Sequence, residues 1–138
     1  MRKLKRLPPH WRKRVIVSLI EEKSESFVVF DLLFINGKTP KGFKRHIGQL
    51  SIDTDHPDYY YVVESGIFDE RLKHKGMGKL MYTTALQYLG RLSTRYHDAS
   101  DEAQRVWKSL ARDYEHETDF WKNTLTVFNG RKRGRNRK

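Results

Sequence analysis

The chain has 138 residues, 37% of them apolar and 33% charged, with no cysteine and a formal charge of +11. That length builds one domain around a single core, and zero cysteines exclude disulfides, thiolate metal sites and a cysteine nucleophile. No apolar run approaches the roughly 18–20 residues of a membrane span, and Pro8-Pro9-His10 stands where a signal peptide would need a hydrophobic stretch, so a cytoplasmic setting is expected.

The charge sits at the ends. Of the 28 basic residues, seven lie in residues 1–14 and six in residues 131–138, with no acid in either segment. Residues 15–130 then hold 15 basic against 17 acidic groups and are near neutral. The chain therefore divides into a basic N-terminal arm (1–14), a folded body (15–130) and a basic C-terminal tail (131–138). Blocks of like charge stay solvated and serve as arms for anionic partners, nucleic acid or another polyanion, or simply aid solubility. Neither end carries an aromatic ladder for base stacking.

In chain order, Arg14–Glu21 reads as a first strand, with Val15, Val17 and Leu19 alternating. A short polar break at Ser24-Glu25 precedes a second, Ser26–Ile35, rich in Val, Phe and Leu. Asn36-Gly37, Pro40 and Gly42 mark a turn, Phe43–Ile52 a third strand, Asp53–Asp58 the next turn, and Tyr59–Phe68 a fourth strand. Helical spacing then joins Met77, Leu80, Met81, Thr84, Ala85, Tyr88 and Leu89. Leu92–Tyr96 is a short strand. Ser100 caps a second helix, with Asp101 and Glu102 in its first turn and an apolar stripe of Ala103, Val106, Trp107, Leu110, Ala111 and Tyr114. After a polar break, Phe120–Phe128 is a final strand. The expected fold is α+β: an antiparallel meander followed by strand, helix, strand, helix and strand in one mixed sheet.

The segment Lys73-His74-Lys75-Gly76-Met77-Gly78-Lys79 joins the fourth strand to the first helix. Two glycines ringed by cations let backbone approach an anion, and a helix start offers free N–H groups and the positive end of its dipole. A phosphorylated ligand is the expectation. The P-loop pattern fails, because Lys73 stands where its first glycine belongs and Leu80 follows Lys79; a dinucleotide fingerprint fails at Met81.

Lys73-x-x-Gly76-x-Gly78 instead resembles the [Q/R]-x-x-G-x-[G/A] signature of the GNAT superfamily, the acyl-CoA-dependent N-acetyltransferases. Ser100–Ala111 resembles the same superfamily's N-x-x-A-x-x-[L]-Y-x-x-x-G helix. The resemblance spans roughly Tyr59 to Ala111, and the short segment between Ile20 and Ser26 lacks the helices usual there. The chain is similar to small, divergent members such as those of tailed phages. The resemblance implies a GNAT-like fold and acetyl transfer from acetyl-CoA to an amine, here unidentified. It also implies that Ile67, Phe68, Lys73, His74, Lys75, Gly76, Met77, Gly78, Lys79 and Ser100 hold the coenzyme.

For the chemistry, Glu64 is the candidate general base, since it lies in the strand expected to face thioester and acceptor. The resemblance also implies backbone amides around Gly66–Phe68 for the oxyanion, where a widened strand would free an N–H. Trp107 stands where a tyrosine often acts as acid, and indole does not titrate usefully; Tyr96 and Tyr114 are the nearest phenols. An acidic face of Asp53, Asp55, Asp58 and Glu64 would favour a cationic amine. The histidines at 10, 46, 56, 74, 97 and 116 have no ligand spacing, so no metal is expected. The rival expectation is a non-catalytic GNAT-like protein that binds polyanions or serves an assembly.

Overall fold

The computed structural model describes residues 10–24 and 27–131, the side chains of 21–24 and 131 excepted. The basic tail from 132 onward and residues 1–9 of the basic arm lie outside the described residues. What is described of the arm is a 3-10 turn, Trp11–Arg14, whose Trp11 packs on the core and whose Arg14 carbonyl accepts the Ile35 N–H at 2.6 Å.

The fold is α+β, with one mixed seven-stranded sheet and two α-helices. The strands are β1 (Val15–Ser24), β2 (Phe27–Phe34), β3 (His46–Asp53), β4 (Tyr61–Ile67), β5 (Arg91–Arg95), β6 (Tyr114–Asp119) and β7 (Thr124–Arg131). Helix α1 (Met77–Leu89) links β4 to β5, and α2 (Asp101–Asp113) links β5 to β6. Spatial order is β1-β2-β3-β4-β5-β7-β6. Every neighbouring pair is antiparallel except β4 with β5, whose connection through α1 makes them parallel. The core joins Phe30, Phe34, Leu50 and Ile52 of the sheet to Met81 and Leu86 of α1 and to Trp107 and Leu110 of α2.

The meander, the β4-turn-α1 unit and the Ser100 cap lie close to their expected places. Ser100 Oγ accepts the Ala103 N–H at 3.1 Å, satisfying one orphan donor of α2. Three expectations fail. The third strand begins at His46 rather than Phe43, because residues 40–45 are taken up by turns. Tyr114 belongs to β6 rather than to the stripe of α2. Finally, the polar break is itself a strand: Tyr114–Asp119 pairs with β7, and the expected strand from Phe120 starts only at Thr124. Between them runs a hairpin turn whose Phe120 and Trp121 are 85% and 93% exposed. Residues 115–118 are exposed, so this edge strand shows no buried face from which periodicity could be read.

The buried face of α1 is broader than the expected stripe: Tyr82 and Leu86 join it, Leu80 and Leu89 pack against the core, and only Tyr88 falls outside. Met77, Met81, Tyr82, Ala85 and Leu86 are buried, whereas Tyr88 is 54% exposed and only touches Phe30 edge-on, at 5.8 Å.

Candidate functional site

β4 has two unlike edges. Toward β3 it pairs along its length, with one extra residue, Val63, bulged between the Ile52–Val62 and Ser51–Glu64 pairs. Toward β5 a single pair is registered, Tyr61 with Ser93, supported by the Ser93 N–H donating to the Tyr60 carbonyl at 2.8 Å. Beyond it the strands part.

The bulge therefore lies at Val63, not at Gly66–Phe68 as expected, and Phe68 donates its N–H to the Ile47 carbonyl at 2.8 Å. By antiparallel alternation it is the N–H groups of Ser65 and Ile67 that face away from β3, into the opening left by β5. Of the expected Gly66–Phe68 amides, that of Ile67 faces this opening, and Ser65 adds a second donor just outside that range.

Two adjacent cavities lie at the opening. One, of about 320 Å³, is walled by Ile67, by Lys73, His74, Gly76, Gly78 and Lys79 of the glycine segment and α1, and by Ser100, Glu102, Arg105 and Val106 of α2. The other, of about 490 Å³, is lined by Val62, Glu64, Thr94, Arg95, Asp98 and Trp107. Ser65, Tyr82, Ser100 and Ala103 line both. They form the shared wall.

The glycine segment is held open by local chemistry. Asp69 accepts the Arg71 N–H at 2.9 Å and grips the guanidinium, which lies over Phe43 at 4.1 Å and reaches the Gly42 carbonyl. The Arg71 hydrogen bonds hold the Asp69 carboxyl below its usual range, against the opposing effect of burial. His74 and Gly76 then take φ of 62° and 85°. Glycine adopts that conformation without strain; a residue with Cβ does not. Gly76 caps α1 with no side-chain hydrogen bond. The first-turn N–H groups are thus left for water or a ligand, with the dipole favouring an anion.

Three of its basic side chains are already engaged, Lys75 being the exception. Lys73 Nζ lies 2.9 Å from Glu70 and 3.9 Å from Glu102; the Glu70 hydrogen bond raises its pKa. His74 approaches Glu102 at 3.8 Å, and Lys79 pairs with Asp113 at 2.7 Å. An anion entering here meets prepositioned amides and cations, with Glu102 as its competitor.

Of the coenzyme-binding candidates, Ile67, Lys73, His74, Gly76, Gly78, Lys79 and Ser100 line the first cavity. The other three do not. Phe68 is 58% exposed and packs against the His46 ring at 4.9 Å; Lys75 faces solvent; Met77 is a core residue. Glu64 lines the second cavity, but the Asp53, Asp55 and Asp58 turn lines neither; Asp98 lines the second cavity with Glu64. Tyr96 and Tyr114 also lie outside both walls. Tyr61 lines the second cavity, and the phenol that lines both is Tyr82, which sequence reasoning passed over. Its signal was spacing: four residues after Gly78 it falls on the same helical face. It is 2% exposed, edge-on to Trp107 at 5.3 Å, with its Oη 2.9 Å from Ser65 Oγ. Burial raises its pKa, and the Ser65 contact only partly opposes this. Among the described residues, no three His, Asp or Glu side chains converge as metal ligands. Nor is any described helix long and apolar enough to cross a membrane.

No protein-family model matches the chain, and no curated protein does. Among solved structures, a domain from Methanocaldococcus jannaschii DSM 2661 is similar at 13% identity and a TM-score of 0.52, over 76% of this chain and 67% of that one. The likeness is one of fold.

Proposed function

We propose that the chain is a GNAT-like N-acetyltransferase that takes the acetyl group of acetyl-CoA in the opening between β4 and β5. The observation that carries the reading is the parting of these two parallel strands after one pair, opening directly onto the Gly76–Gly78 turn. In this reading the pantetheine arm lies along the free edge of β4, meeting the Ser65 and Ile67 N–H groups, and the pyrophosphate meets the first turn of α1. The strand–turn–helix order of the two motifs supports this reading.

The second cavity would receive the acceptor amine, with Glu64 as its base. Positioning the two reactants accounts for much of such a reaction, up to roughly 7–11 kcal/mol of the barrier. Saturable coenzyme A binding by calorimetry is the test. Absence of binding at millimolar coenzyme removes the reading.

One observation favours a second reading, a non-catalytic module for polyanions. Glu102 already bridges toward Lys73 and His74, while the concentrated positive charge lies at the chain ends. That reading expects nucleic-acid binding that weakens steeply with salt and is lost on deleting residues 1–9 and 132–138. Binding unchanged by the deletions would dismiss it.

A further inference from the structure

We propose that a further cavity, across α2 from the glycine segment, binds a small amphipathic anion, a carboxylate carried on an apolar body. The inference does not rest on the coenzyme reading. This cavity, of about 400 Å³, lies between α2, the 3-10 turn Tyr96–Asp98 and the β6–β7 hairpin. None of its lining residues belongs to either cavity beside β4. Helical spacing explains the separation. Glu102, Val106 and Ser109 turn one face of α2 to the glycine segment, while Lys108 and Ala111 turn another to this cavity.

Its walls are tied together by hydrogen bonds. Gln104 donates its side-chain amide to the Tyr96 and Ala99 carbonyls, both at 3.1 Å, joining α2 to the turn. The Tyr96 N–H donates to the Asn123 carbonyl at 3.1 Å, and the His97 N–H to the Asn123 side-chain oxygen at 3.3 Å, joining the turn to the hairpin. A cavity that stands before its ligand arrives needs little ordering on binding.

The lining has two parts. Buried Leu125 and Ala111 give an apolar floor, and Tyr96 and Phe120 add rings. Phe120 leaves most of its surface to water, and an apolar ligand body would cover it. Above the floor stand Lys108, His97 and His116, none of which makes an ion pair among the described residues. Strand β6 sorts its charges by face: His116 and Thr118 pair with Val127 and Leu125, whereas Glu117 pairs with Thr126 and takes the opposite face. The acid in the lining, Asp119, is committed elsewhere. Its carboxylate accepts the Lys122 N–H at 3.1 Å and the Tyr59 hydroxyl at 3.5 Å. An apolar floor beneath a basic rim matches a ligand of the same two-part chemistry, with its carboxylate at the Lys108 ammonium.

The experiment titrates the full chain by calorimetry with 1-naphthoate and octanoate, and with 1-naphthalenemethanol and 1-octanol as their uncharged counterparts. At least one acid should bind saturably with a Kd of about 1 mM or tighter, ordinary for a ligand of this size. Its alcohol should bind about tenfold or more weakly. Lys108→Ala, at an exposed position, should weaken the acid about tenfold or more and leave the alcohol within about twofold. Ala111→Phe should fill the floor and abolish binding of both, with thermal unfolding showing that the variant remains folded.

Preference for naphthoate assigns the site an aryl body and preference for octanoate an alkyl one; either supports it. Alcohols that bind as tightly as the acids overturn the anion assignment. Acid binding unchanged in Lys108→Ala, or in a folded Ala111→Phe, overturns the site. So does the absence of saturable binding by either acid at millimolar concentration, whatever the chain does with coenzyme A.

Discussion

The two cavities beside β4 share a wall and differ in almost everything else. The glycine-segment cavity is built from backbone and from cations of which Lys73 and Lys79 are paired, with Glu70 and Asp113, while Arg105 makes no ion pair among the described residues. The second is lined by carboxylates, Glu64 and Asp98, that make no ion pair among the described residues, and its Arg95 is turned over the Tyr61 ring at 4.5 Å. The first holds Lys73 and Lys79 in ion pairs; the second leaves Glu64 and Asp98 outside any ion pair among the described residues. Under the proposed reading, the first side would take the coenzyme and the second the acceptor.

This contrast can be broken one side at a time. The largest effect is expected at Glu64: Glu64→Gln should slow amine acetylation by about 10²-fold while coenzyme A affinity stays within about twofold. Equal losses in rate and affinity would show that the cavities do not divide the work. Gly48→Ala should damage both sides, because a Cβ there would lie 2.5 Å from the Gly66 carbonyl oxygen, which is backbone of the shared strand β4. A loss of about 1–3 kcal/mol in urea unfolding is expected, and parental stability would mean that β3 and β4 can separate freely.

Gly76→Val should act on the first side alone. Its φ of 85° is unfavourable for a β-branched residue, and the new Cβ would meet the Arg12 guanidinium at 2.9 Å. Coenzyme A affinity should fall by about tenfold or more, the cost of one left-handed residue. Unchanged affinity in calorimetry would separate the segment from the coenzyme.

The smallest effect concerns Asp113. The Lys79 hydrogen bond, chiefly, lowers its pKa below the ordinary 3.8. A carboxyl lowered in the folded state adds stability above its unfolded pKa, and that contribution disappears as pH falls through the folded value. Asp113→Asn should therefore flatten the acid limb of thermal stability below about pH 4, by less than about 1 kcal/mol for a partly exposed pair. Parallel limbs in parent and variant would remove that role from the pair.

Much of one side was legible in advance. Gly76 and Gly78 announced the turn, the aromatic and β-branched run of Tyr59–Phe68 the strand, and Ser100 with Asp101 and Glu102 the start of α2. Each of these signals acts within a few residues, where conformational preference and capping operate. The failures share the opposite character. β6 carries Glu115, His116 and Glu117 on an exposed edge, so only its pairing with β7 defines it. Phe68 was assigned to the ligand through the resemblance, but its side chain takes the face opposite Ile67 and packs against His46. Tyr82 was read past because its meaning depends on Ser65, seventeen residues away.

By itself, the order of residues determined the local pieces: the meander, the glycine turn with its left-handed residue, the capped second helix and the uneven charge. Those follow from steric preference, hydrogen-bond capping and periodic burial, all short in range. Only the tertiary structure decided where β4 and β5 part, which side chains face the gap, and which phenol stands beside Ser65. These depend on packing α1 and α2 against distant strands, because a side chain acquires its partners only when the core has closed around it.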